Sequence, residues 1–278
     1  MDILRLALER GPTALAAARA CAELTERHGQ GGGCAEDDPA WTYENGYLFA
    51  DAREAFVVET CGVHGWAMER VPAGGFRNIS NGVSIRTDIF DMSQGLREDF
   101  ARRGWCSAAA GAAGGAPVDW KAIVSGGAGA TRCGRSGSLE LAGRELAGRR
   151  HLEAMDRDVR EGRLARGDAR ALAERFMEVL RDEDSGICFR DLDGFNSTGS
   201  QVSLLPAAEG AAKGAAARHF FTCASDPKVA CYKLFGFPPP PSPERPDEAA
   251  RPAEGGDHRS LELWRAWRAR ALRTRGRP

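Results

Sequence analysis

Tyr47-Leu48-Phe49-Ala50-Asp51-Ala52-Arg53-Glu54-Ala55-Phe56-Val57-Val58 is the stretch that decides the fold class. Two apolar runs, 47–50 and 55–58, flank a polar turn at 51–54. Aromatic and β-branched residues bounded by turn formers read as a β-hairpin. Downstream, residues 66–71 supply a third, shorter strand-like run. Val83 and Ile85 then alternate with Ser84 and Arg86, as in a half-exposed strand. Upstream, Ile3, Leu4, Ala7 and Leu8 share one helical face, and Gly11-Pro12 closes that helix. Thr13 is placed to cap a second helix with the stripe Leu15, Ala18, Cys21, Ala22 and Thr25, ending at His28-Gly29. The run 29–33 is a glycine-rich connection.

Beyond the strands the composition shifts. Residues 107–137 are mostly Gly, Ala and Ser, interrupted by Val118-Asp119-Trp120-Lys121-Ala122-Ile123. Small side chains and high backbone entropy predict a surface loop there. A charged helix follows over 138–163, and another starts at Asp168 with Leu172, Phe176, Val179 and Leu180 at helical spacing. Strands are predicted over 201–205, 218–223 and 230–237. The tetraproline 238–241 stops regular structure and opens a Pro-rich linker, 238–257. A short C-terminal helix is expected within 258–278, with Leu263, Trp264 and Trp267 on one face. The order helices, strands, helices, strands predicts a layered α+β domain over 1–237 rather than alternating βαβ units.

The charge balance, 38 basic against 39 acidic residues in 278, gives no field that favours nucleic acid. Asp2, Arg5, Glu9 and Arg10 break up any signal-peptide core at the start, and no run of about 18 apolar residues exists to span a membrane. The eight cysteines, at 21, 34, 61, 106, 133, 188, 223 and 231, contain no CxxC pair. They read as reduced thiols in a cytoplasmic protein. The sequons at Asn78 and Asn196 read as chance occurrences in that compartment.

No sharp catalytic signature emerges from spacing. Gly126-Gly127-Ala128-Gly129 lacks the third glycine and the Lys-Ser/Thr of phosphate loops, so it reads as linker. The histidines at 28, 64, 151, 219 and 258 show no metal-ligand spacing, and no metal or cofactor is predicted. Cys61-Gly62-Val63-His64 sets a thiol near an imidazole, which reads as a Cys-His dyad or as residues packing at a strand end. The acidic pairs Asp37-Asp38 and Asp182-Asp184 read as solvated turns.

Several collinear strings add a resemblance. MDILRLALERG, RHGQGG, CAEDDPAWTYENGYLFAD, EAFVVETCG, WAMERV, FRNISNGVSIRTDI, LRDEDSGIC, VSLLP, HFFTCASDP and YKLFGF occur in one order, and DHRSLELWRAW follows more loosely. Together they cover about 220 of the 278 residues, and this order resembles the secernins, the dipeptidase-related branch of the N-terminal-nucleophile hydrolases. The resemblance implies a four-layer αββα sandwich. It also implies a cysteine-type dipeptidase or amidohydrolase, in which a terminal cysteine attacks an amide carbonyl and its freed amine takes the thiol proton. Asn81, in RNISNGVSI, matches an asparagine that donates to the oxyanion in related hydrolases; Asn81-Gly82 also reads as a tight turn.

The family's nucleophile lies upstream of the helix with which this sequence starts, and no cysteine here takes its position: Cys21 falls on a helix and Cys34 follows a loop. GVHG at 62–65 is one residue longer than the family's turn. The expectation is an incomplete sandwich, a truncated form without the nucleophile, with unpaired sheet edges. The full-length parent would act on a small peptide or amide substrate. The alternative implied by the resemblance is a non-enzymatic scaffold or regulatory protein in exocytosis, with a protein partner from that process.

Overall fold

The computed structural model describes residues 2–33, 43–104, 117–125, 143–189, 197–206, 217–222 and 226–236. The Pro-rich linker, the C-terminal helix and most of the Gly/Ala-rich segment lie outside the described residues. The chain divides into two compact units, Met1–Leu152 and Glu153–Pro278. Each holds one antiparallel sheet, which makes the protein mixed α+β.

In the first unit, α1 (Asp2–Arg10) and α2 (Ala14–His28) form a helical pair. Thr13 caps α2 as the sequence predicts, its hydroxyl accepting from Ala16 N at 3.2 Å. Asp51, from the hairpin turn, adds a second cap by accepting from Ala14 N at 2.7 Å. Gly29 ends the helix with φ 75°, a left-handed conformation that a Cβ would strain. The expected face of α1 is only partly buried: Ala7 is inside, and Leu8 is exposed.

Four antiparallel strands follow in the order β1 (Gly46–Ala50), β2 (Ala55–Cys61), β3 (Gly65–Arg70) and β4 (Asp91–Met92). The hairpin register pairs Leu48 with Val57 and Phe49 with Phe56. Side chains alternate across a strand, so β2 contributes to two cores. Phe56 and Val58 meet Ala14, Ala18, Cys21 and Ala22 of α2, together with Phe49, Trp66 and Met68. Val57 and Cys61 meet Val83, Ile85, Met92, Phe100 and Trp120 on the opposite face. Burying each large apolar side chain contributes about 1.5–3 kcal/mol, so a strand buried on both faces is the anchor of the unit.

Two expectations are corrected in the opposite-face layer. Residues 83–85 form no strand, and Ser84 is buried instead of alternating outward. The reason is that Glu59 of β2 replaces a neighbouring strand: its carboxylate accepts from Ser84 N at 2.7 Å and Ile85 N at 3.1 Å. The run 118–124 is core rather than surface loop. It forms α4 (Trp120–Val124), capped by Asp119, with Trp120, Ile123 and Val124 buried. A single aromatic anchor outweighs the low apolar content around it. α3 (Gln94–Arg102) adds Phe100, whose ring lies 6.3 Å from that of Trp120. α5 (Gly143–Arg160) starts with Glu145 paired to Lys121 at 3.5 Å, both buried.

The second unit is built differently. α6 (Ala169–Val179) begins where the sequence predicts a helix, and Asp168 caps it by accepting from Ala171 N at 2.9 Å. Its buried residue is Ala173, whereas Phe176, expected on the apolar stripe, is 39% exposed. The sheet runs β5 (Ser200–Leu204), β6 (Arg218–Thr222), β7 (Lys233–Phe235). Val202 and Thr222 are its buried positions, and all three residues of β7 are exposed. The last predicted strand is thus shorter than 230–237; Arg181 instead takes Ala230 O at 2.8 Å and stacks over Tyr232.

Candidate functional site

A cleft of about 660 Å³ opens in the first unit between the last turn of α2, the β2–β3 turn and the first turn of α3. Gly65 shapes it, because a Cβ there would meet Cys61 O at 2.5 Å and the Leu96 side chain at 2.8 Å. Glycine is therefore required for α3 to approach the turn. The turn itself is pinned from below. Gln30 Nε2 donates to Gly62 O at 2.6 Å, and Gly62 N donates to the Glu44 carboxylate at 2.9 Å. Asn45 Nδ2 donates in turn to Gln30 Oε1.

Glu26, His64 and Ser93 are among the residues that line the cleft, and the Ser93 hydroxyl accepts from Trp66 N at 3.3 Å. Glu26 is oriented by Trp66 Nε1, which donates to its Oε1 at 3.0 Å. His64 stands on the turn, with Nδ1 3.4 Å from Thr25 O. Ser93 begins α3, yet its side chain makes no cap bond, and the first intrahelical bond is Arg97 N to Ser93 O. The N–H groups of Gln94, Gly95 and Leu96 precede that bond and form the positive end of the helix. The cleft thus offers the Glu26 carboxylate on one wall and, on the α3 wall, backbone donors together with the Asp99–Arg102 pair. Among the described residues no cluster of His, Cys, Asp and Glu is arranged to hold a metal ion.

Beneath the opposite sheet face lies a buried polar chain. Glu59 accepts from Ser84 Oγ at 2.5 Å, and Ser84 Oγ accepts from Arg77 Nη2 at 2.9 Å. Arg77 also forms a two-point pair with Glu69, at 2.8 and 2.9 Å. Burial pushes the Glu59 carboxyl above its ordinary value, more strongly than its hydrogen-bond donors and Arg77 pull it down. This chain clamps both ends of the turn that carries Asn81. Gly82 N donates to Ser80 O at 2.9 Å, so Asn81 sits at the centre of a three-residue turn, exposed. Asn81 is not among the cleft residues. The sequon residue Asn78 is engaged instead with α5, donating to Glu145 O at 2.8 Å.

The cysteines occupy distinct environments. Burial pushes the Cys21 thiol up to about 12, against a small opposing effect of Thr25. Cys61 is disulfide-bonded, which corrects the expectation of uniformly reduced thiols. The same bond removes the Cys61–His64 dyad, since a disulfide sulfur has no thiolate to offer. Cys188 is buried in the second unit, and Cys231 is exposed there. Cys34, Cys106, Cys133 and Cys223 lie outside the described residues, as does the Gly126–Gly129 run.

Sequence reasoning missed Glu26, Gln30, Ser93 and Glu59. Only the last left a trace, a lone acid inside the apolar run Phe56-Val57-Val58-Glu59. No family model matches the chain. No helix among the described residues is long and apolar enough to cross a membrane.

Proposed function

We propose that the chain is secernin-like and descends from the cysteine-type dipeptidases of the N-terminal-nucleophile hydrolases, supplying frame and small-peptide recognition. The observation that carries this reading is the burial of β2 on both faces, between the α1–α2 layer and the Trp120 core. A strand in the middle of a layered sandwich requires that pattern. The four-layer αββα arrangement is the finer part of the proposal. The cleft supports the same reading, because Glu26 and the first turn of α3 complement the two charged ends of a dipeptide. An oxyanion role for Asn81 belongs to the proposal too, and needs substrate to reach the 80–82 turn.

The test is dipeptide hydrolysis by the natural protein, with and without thiol alkylation and with Asn81→Ala. Hydrolysis abolished by alkylation and reduced at least tenfold by Asn81→Ala supports the reading; hydrolysis indifferent to both removes the mechanism.

A non-enzymatic scaffold in exocytosis is the second reading, and the state of Cys21 and Cys61 favours it. Cys21 is held as a buried thiol and Cys61 is bridged, so neither offers the thiolate that attack on an amide needs. Under that reading, binding to an exocytosis-related partner survives replacement of every cysteine by serine. Loss of partner binding in a cysteine-free protein that still folds would count against it.

A further inference from the structure

We draw no further inference here: the strongest candidate, the buried Glu59–Ser84–Arg77–Glu69 side-chain cluster beneath the Asn81 turn, carries nothing, because the direction in which it would switch rests on the shifted titration of one carboxyl alone.

Discussion

The two units use opposite means to hold a small antiparallel sheet. In the first, β2 is buried along almost its whole length, and its one acid is satisfied by three donors from a neighbouring segment. In the second, the sheet buries Val202 and Thr222, β7 is exposed, and much of the polar contact is made by arginines at the surface. Arg163 and Arg175 both reach Asp158, for example, with side chains 55% and 40% exposed. Apolar burial grows with area removed from water, whereas an exposed ion pair is worth at most about 1 kcal/mol. Among the described residues the first unit therefore has the larger apolar core, and it also carries the candidate cleft.

The largest expected effect tests that contrast directly. Trp120→Ala opens a cavity in the Val57–Ile85–Phe100 core, and should cost about 3–5 kcal/mol in denaturant unfolding. Phe176→Ala in the second unit should cost less than about 1 kcal/mol, because that ring is 39% exposed. Equal losses at the two positions would erase the distinction between the units.

Glu59→Ala comes next. It strands Ser84 N and Ile85 N in a buried layer, and a loss of about 2–3 kcal/mol is expected from equilibrium unfolding. The pH dependence sharpens the point. The folded carboxyl of Glu59 lies above its ordinary value of 4.5, so the folded state binds that proton more tightly than the unfolded chain. Its favourable contribution is present below 4.5 and is lost as pH rises through the folded value. Wild-type stability measured relative to Glu59→Gln should thus fall as pH is raised from acid toward neutral. A flat difference would mean that the carboxyl is not held in a desolvated site.

Asp51 carries the opposite sign. The Ala14 N–H, foremost, holds its carboxyl below the ordinary value of 3.8, so its contribution is present above that pH and lost as pH falls. Asp51→Ala should cost about 1 kcal/mol, as expected for a lost helix cap, and thermal unfolding at neutral pH checks it. The smallest effect belongs to the second unit. Arg163→Ala should change stability by about 0.5 kcal/mol or less, with the difference vanishing in high salt.

Much of the first unit was legible in its sequence. The Thr13 cap, the Gly29 stop and the 47–58 hairpin follow from local rules, because each depends on residues within a few positions of one another. The errors came where distant groups decide. Residues 83–85 alternate like a strand, but the partner that satisfies their backbone is a side chain 25 positions away, which no periodicity reveals. The glycine-rich surroundings of Trp120 hid a core residue, since composition averages over a window and burial acts on a single ring. The cleft was illegible for the same reason: Glu26, His64 and Ser93 come from three separate elements and meet only when β3 and α3 are in place. The bridged state of Cys61 depends likewise on which cysteines folding brings together, and spacing does not encode that.

Native-state hydrogen exchange, resolved by residue, tests most directly the claim that the first unit is the stable frame. The amides of β2 and β3 should exchange only through global unfolding and show the highest protection in the chain, whereas those of β6 and β7 should open at a free energy at least about 2 kcal/mol lower. Uniform protection across both sheets, or slower exchange in β6 than in β2, would contradict it.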